Sequence, residues 1–316
     1  MVNSLVFPGQ GSQKVGMGKE FFDNFSVAKE VFQNVDDSIS QNLSKLIFEG
    51  PLEELTLTEN TQPAIMAVSI ATLEVLKKEF GFNINKVKFC AGHSLGEYTA
   101  LAATNSLSLR DVAILLKKRG MNMQEALPEG KGAMAALIGI NIDQAKELIA
   151  EISKTMVCEI ANYNSINQIV IAGDAAAIDI VVDHAKIKKI RAIKLLVSAP
   201  FHCKYMTETA NKLKLEFENL SFQTPNLLIV LNYTAKPFHN LDDLKESLIK
   251  QTFSTVRWYE SIQYMINNGT DYFLEIGSGS TLSNMIKRMG FSDNIRTLSL
   301  TSIKDVELYM KENYGD

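Results

Sequence analysis

Cysteine is scarce in this chain: 316 residues contain three, Cys90, Cys158 and Cys203. They form no CxxC pair and no metal-ligand spacing. Neither a disulfide framework nor a cysteine-based metal centre is expected, and the sparse, odd count fits a reducing compartment. An excess of basic charge is missing too. Lys and Arg number 32 against 36 Asp and Glu, a formal net charge of -4, which argues against a general nucleic-acid surface. The opening MVNSLVFPGQG has no basic region and only a short apolar run before Pro8, unlike a secretory signal. No apolar run nears the roughly 18 residues of a membrane span. Repeats, low-complexity tracts and long linkers are also absent. The expectation is a soluble, cytoplasmic protein.

Two nucleotide loops fail as well. In FPGQGSQ, residues 7 to 13, Gly9 and Gly11 fit the start of G-x-G-x-x-G, but Lys14 stands where the third glycine belongs. Read as a P-loop, Gly18-Lys19 supplies the end, yet Gln13 replaces the first glycine and Glu20 the magnesium-binding hydroxyl. Each failure falls at a position with a mechanical role. What remains is a tight turn that exposes backbone N–H groups, which suits it to hold a negative oxygen.

What is present is an ordinary globular composition, 46% hydrophobic and 22% charged. At about 150 residues per domain, the length suggests roughly two domains. SLVF (4–7) predicts a short buried strand, and AIMAVSIATLEVLKKEF (64–80) a helix packed on most faces. VKFCA (87–91) predicts a strand, with a helix starting near Glu97. Ser108 and Asp111 form a capping-box-like start for a helix reaching about Ala126. This alternation points to an α/β fold, a parallel sheet with helices on both faces.

After LPEGKG (127–132) the order becomes strand (AMAALIGI), helix (143–153), strand (TMVCEIANY), hairpin turn NSIN, strand (QIVIAG), helix (175–186), strand (IRAIKLL). That is the βαββαβ order of a ferredoxin-like α+β unit. It predicts an inserted subdomain, residues 130–197, within a discontinuous larger domain, 1–129 plus 198–316. After SAPFHC the larger pattern resumes, with strands LLIVLN and DYFLEI and a helix from about Thr255.

The strongest chemical signal is GHSLG, Gly92 to Gly96, between a predicted strand and a predicted helix. In a nucleophile elbow the glycines permit a sharp turn that lifts the serine hydroxyl off the sheet. Ser94 is therefore a candidate nucleophile; the plainer alternative is a helix cap. A serine that attacks a carbonyl creates an oxyanion. The N–H of Leu95 is one expected donor, and Gln10 in FPGQGSQ is a second, unless that loop is purely a structural turn. For a base there are four histidines. His93 adjoins Ser94 and would point away from the hydroxyl proton; His184 lies in a predicted helix. His202 follows a strand end, the usual place for a catalytic loop in an open sheet, and leads His239, which sits in a polar loop.

Arg119 is the most informative charge. Val112, Leu115, Leu116, Met123 and Ala126 form one apolar stripe of their helix, and Arg119 falls in its middle, whereas Lys117 and Lys118 point elsewhere. Leaving a buried charge unpaired costs about 3–5 kcal/mol. Two readings stay open: an internal salt bridge or snorkelled side chain, and a fork that grips a substrate carboxylate in two places. The basic run KIKKIR, Lys186 to Arg191, is either a solvated surface or a docking patch for an acidic partner.

Taken together, FPGQGSQ, AGHSLGEYTAL, KKRGMNMQEALPEGKGAMAALIG, IANYNSINQIVIAG, VSAPFHC and VRWYESIQYM resemble the malonyl-CoA:acyl carrier protein transacylases, the acyltransferases of fatty-acid synthesis. The resemblance spans nearly the whole chain. It implies a hydrolase-like α/β core carrying a ferredoxin-like insertion, and a ping-pong reaction between malonyl-CoA and the phosphopantetheine of an acyl carrier protein. It implies Ser94 as the acylated residue, His202 as the base of a dyad, and the Gln251 main-chain carbonyl as the group orienting His202. Gln10 and Leu95 would supply the oxyanion hole and Arg119 would meet the malonyl carboxylate. His93, Met123 and Asn162 would line or support the pocket. No metal or bound cofactor, and no assembly beyond a monomer, is required. Two departures stand out: Phe201 precedes the histidine where stand-alone members often have serine, mildly favouring malonyl, and residues 277–280 read GSGS where GPG is frequent. The rivals are a serine thioesterase or esterase on the same elbow, a related acyltransferase with another acyl preference, and a non-catalytic scaffold.

Overall fold

The computed structural model describes residues 3–197 and 199–315. Ser198, in VSAPFHC and at the start of the expected second segment, lies outside the described residues, as do Met1, Val2 and Asp316. The chain opens with β1 (Asn3–Phe7) and a run of helices: α1 (Lys19–Asn24), α2 (Ser26–Ile39), α3 (Leu43–Glu49), α4 (Leu52–Thr56) and α5 (Thr58–Lys78). Then come β2 (Phe89–Gly92), α6 (Leu95–Ala103) and α7 (Leu109–Glu125). Next are β3 (Gly132–Ile138), α8 (Ile142–Ile149), β4 (Cys158–Ser165), β5 (Gln168–Asp174), α9 (Ala175–Ile187) and β6 (Arg191–Lys194). The chain closes with α10 (Thr207–Glu218), β7 (Leu228–Ile229), α11 (Leu241–Phe253), α12 (Trp258–Asn267), β8 (Tyr272–Ile276), α13 (Thr281–Lys287), β9 (Arg296–Leu300) and α14 (Ile303–Tyr314).

Two compact units result. The first runs to Gly120 and adds Leu220–Val230 and the chain from Met265 onward. Its sheet has the order β7-β2-β1-β8-β9 and every pairing is parallel. β1 is central, buried at every residue, with Leu5 opposite Cys90 on one side and Leu274 on the other. A strand covered on both faces reads as a continuous apolar run rather than an alternation, as SLVF does. α5 begins six residues before the expected Ala64 and runs through Pro63. Its polar start is held from outside the helix: Asn60 Nδ2 donates to the Glu54 carbonyl (3.0 Å) and Thr61 Oγ1 to that of Leu55 (2.5 Å). The Ser108–Asp111 box forms at the head of α7, with the Asp111 N–H donating to Ser108 Oγ at 3.0 Å.

The second unit comprises Met121–Asn219 and Leu231–Tyr264. The expected insertion 130–197 lies inside it, and the unit extends beyond it on both sides. Its antiparallel sheet has the order β4-β5-β3-β6, the ferredoxin-like arrangement of a βαββαβ chain. Period-2 alternation divides its faces. Ala135, Leu137, Ile169 and Ile171 pack among residues of α8 and α9, including Leu148 and Ile178. Met134, Ala136, Val170 and Ala172 pack on the other side with Met123, Phe201, Cys203 and Met206.

Candidate active site

In the first unit, Phe7 ends β1, Gly92 ends β2, and the chain reverses at once into α6. Ser94 sits at the turn with φ 54 and ψ -108, a conformation that costs a residue with a Cβ about 1–3 kcal/mol and is typical of functional turns. The turn exists because its neighbours are glycines. A Cβ on Gly92 would lie 1.8 Å from the Gly96 carbonyl carbon, and one on Gly96 would lie 2.2 Å from the Phe7 oxygen. α6 therefore starts at Leu95, two residues before the expected Glu97. As the first helical residue, Leu95 offers an N–H that has no intrahelical acceptor.

The loop after β1 is fitted to this elbow. The His93 N–H donates to the Phe7 carbonyl at 3.0 Å, and a Cβ on Gly9 would come within 2.6 Å of the His93 oxygen. Gln10 follows at the turn. Ser12 Oγ donates to the Gly9 carbonyl (2.9 Å), and Ser278 Oγ donates to the Ser12 carbonyl (2.7 Å). Gly9 thus brings the backbone of FPGQGSQ against the serine turn, Gly11 turns the loop with a φ of 101, and Ser278 of GSGS ties the loop through Ser12.

Arg119 is 1% exposed. Its Nη1 donates to Gln62 Oε1 at 2.7 Å and its Nη2 to Ser94 Oγ at 3.3 Å. The guanidinium carbon lies 5.1 Å from the centre of the Tyr98 ring, within cation–π range. Burial pulls its pKa below the ordinary guanidinium value, while Tyr98 and Glu97 act in the opposite direction. Gln62 and Tyr98 escaped the sequence reading. Gln62 was hidden among the polar residues that start α5, Thr58 to Thr61; Tyr98 lies one helical turn beyond Ser94.

In the second unit, His202 is 4% exposed and has a left-handed φ of 58. Its Nδ1 lies 2.8 Å from the main-chain oxygen of Gln251 near the end of α11. A carbonyl can only accept, so Nδ1 carries the proton and Nε2 keeps the lone pair of the neutral ring. Phe201 and Met123 share the apolar cluster beside the small sheet. Asn162, 7% exposed, lies on β4 where that strand bridges to Val256. His184 lies on α9, and His239 is exposed, with its N–H donating to Asp243. Ser94, Gln10, His93, Leu95 and Arg119 thus belong to the first unit, and His202, Gln251, Phe201, Met123 and Asn162 to the second. Among the described residues, no three His, Cys, Asp or Glu side chains form a group suited to a metal ion, and no helix is long and apolar enough to cross a membrane.

A family model described as the acyl transferase domain matches residues 4–313. The malonyl CoA-acyl carrier protein transacylase of Bacillus subtilis is 40% identical over 307 residues, covering 96% of this chain and 95% of that protein. The crystal structure of an acyl-carrier-protein-S-malonyltransferase from Bartonella henselae matches with a TM-score of 0.95 at 41% identity, covering 99% of each chain. A malonyl-transacylase solved in complex with its type II PKS acyl-carrier protein matches at 0.94 and 33% identity, covering 99% of this chain and 100% of that one.

Proposed function

The chain belongs to the malonyl CoA-acyl carrier protein transacylase family of acyl transferases, and we propose that it moves a malonyl group from malonyl-CoA to the phosphopantetheine thiol of an acyl carrier protein for fatty-acid synthesis. Ser94 attacks the thioester carbonyl while His202 Nε2 takes its proton. The N–H groups of Gln10 and Leu95 hold the oxyanion, and CoA leaves as the thiol with the proton from His202. The malonyl ester then waits on Ser94. The carrier thiol attacks it, His202 takes the thiol proton, and that proton returns to Ser94 Oγ as the ester breaks. Two half-reactions through one acyl-enzyme make the kinetics ping-pong.

The observation that carries this reading is the Arg119 Nη2 at 3.3 Å from Ser94 Oγ. A buried guanidinium beside the nucleophile suits an acyl group that carries its own carboxylate, which a planar fork can hold at two oxygens. His93, Met123, Asn162 and Phe201 would shape the pocket, and the Gln251 carbonyl would orient His202. The chemistry requires no metal and no cofactor of the enzyme's own, since the phosphopantetheine belongs to the carrier. One chain supplies every named residue, so we propose a monomer. Three free, buried cysteines support a reducing, cytoplasmic setting.

The test is mass spectrometry after brief mixing with malonyl-CoA, then with holo carrier protein. A malonyl group on the Ser94 peptide that passes to the carrier is the expected result. A group lost to water while carrier is present would identify a hydrolase instead. No adduct from folded protein would remove the enzymatic reading.

A further inference from the structure

A histidine with a left-handed backbone persists only where its surroundings over-determine it. For His202 those surroundings are the small sheet. Pro200 packs against β3, where a Cβ on Gly132 would fall 2.4 Å from the proline ring. The Lys204 N–H donates to Glu159 Oε2 on β4 at 3.1 Å. The Tyr205 hydroxyl donates to Asp174 Oδ1 at the end of β5 at 2.5 Å. Cys203 Sγ closes the turn onto the Pro200 carbonyl at 3.0 Å.

Asp174 is the more telling of the two carboxylates. It is the N-cap of α9, where an aspartate normally accepts from the helix's own first amides, yet it makes no side-chain cap bond. Its oxygens go instead to the Val157 N–H, at 2.8 Å, and to Tyr205. That bond, followed by burial, pushes the Tyr205 hydroxyl up to about 12, so it remains a donor at neutral pH. β4 also fixes the segment that leaves α11 just after Gln251. The Val256 N–H donates to Ala161 at 2.8 Å, the Tyr163 N–H to Val256 at 2.9 Å, and Thr255 Oγ1 to Ile160 at 2.5 Å. One sheet therefore grips the chain on both sides of the bond between His202 and the Gln251 carbonyl.

We infer that Asp174 and Glu159, acting through the Tyr205 hydroxyl and the Lys204 amide, are positioning residues that hold the His202 ring in its working tautomer and direction. The inference rests on His202 being the base. The ferredoxin-like sheet is then the frame of the histidine rather than a passive insertion.

The test compares Tyr205→Phe, Glu159→Met and Glu159→Gln with wild type. It reads kcat and KM for malonyl-CoA, thermal midpoint, and the ring-nitrogen signals of ¹⁵N-histidine-labelled protein, with His202 assigned through His202→Ala. Tyr205→Phe and Glu159→Met are expected to lower kcat about tenfold with KM changed less than twofold. Their His202 nitrogens should move from two distinct values toward the tautomer average. Glu159→Gln keeps an acceptor oxygen and should retain wild-type behaviour. Unchanged kcat and unchanged ring signals in both damaging variants would overturn the inference. So would a fall in thermal midpoint with kcat per folded molecule and ring signals intact. If the wild type forms no malonyl-serine, the reading of the site falls by itself, and the ring signals still decide whether the sheet positions His202.

Discussion

A guanidinium beside a serine hydroxyl discriminates by charge. Removing one member of a buried, hydrogen-bonded charge pair costs about 2–5 kcal/mol, so Arg119→Ala should lower kcat/KM for malonyl-CoA by about 10²- to 10³-fold. Acetyl-CoA has no free carboxylate, so any transfer of acetyl should fall far less. Equal losses for the two donors would refute the clamp. The cysteines give a second outcome at this scale. Burial pushes the Cys203 thiol up to about 12 and Cys158 up to about 11, and Cys90 higher still. The thiolate is the reactive form, so iodoacetamide at about pH 8 should label none of them in the native protein and all three in denaturant. Cys203 adjoins His202, yet its thiol should stay protonated and unlabelled in the native protein. The burial of Arg119 was legible from helix periodicity, and the turn at Ser94 from its glycines. The contact of His202 with Gln251 was not legible from residue types. It is made by a main-chain oxygen 49 positions away, and every residue has such an oxygen.

Among the elements, the serine elbow is the least tolerant. Gly96→Ala would press a methyl onto the Phe7 carbonyl, which belongs to the central strand and cannot yield cheaply. Overpacking of this kind costs about 1–3 kcal/mol, and a displacement of about 1 Å at a reacting group can cost 10²-fold in rate. Reduced thermal stability together with slowed acylation of Ser94 is expected; a wild-type acylation rate would mean that the turn absorbs the methyl. In the same unit, Asp305 completes the capping box of α14, whose N-cap is Ser302. Partial burial opposes its ionisation, but hydrogen bonds from Ser302 and Thr301 outweigh this and lower its pKa below the ordinary 3.8. Its contribution is therefore full above the unfolded-chain value and lost as pH falls through the lower folded one. α14 should fray first on acidification below about pH 4, as amide exchange would show, and Asp305→Asn should remove that dependence. The basic run Lys186–Arg191 ends α9 and starts β6, the edge strand of the small sheet. Of its basic residues only Arg191 lies on that edge strand, where, with Lys194, it can block the addition of a foreign strand; Lys186 lies in the last turn of α9, and Lys188 and Lys189 lie in the turn that follows. The helices α1, α3 and α4 are five to seven residues long, too short to show a helical period, whereas α2 carries a legible stripe in Val27, Val31 and Val35 that the sequence reading passed over, as it did β9 and α14.

For the whole molecule, the order of elements carried most of the architecture. A βαββαβ run prescribed the small sheet, and strand–helix alternation prescribed the parallel one. Less legible was the order of strands within the large sheet, since apolar runs such as SLVF and YFLEI fit any covered position. That order, β7-β2-β1-β8-β9, shapes the protein's birth. β2 can pair with β1 once about ninety residues have been made, but β8 emerges about 180 residues later. At roughly 5–20 residues per second on the ribosome, the innermost strand waits some 10–40 s with one flank open. Throughout that interval the elbow bearing Ser94 can fold beside an unfinished sheet whose bare edge is a template for other nascent chains. Yield in the cell should thus be governed by how well that edge is shielded until Tyr272–Ile276 arrives.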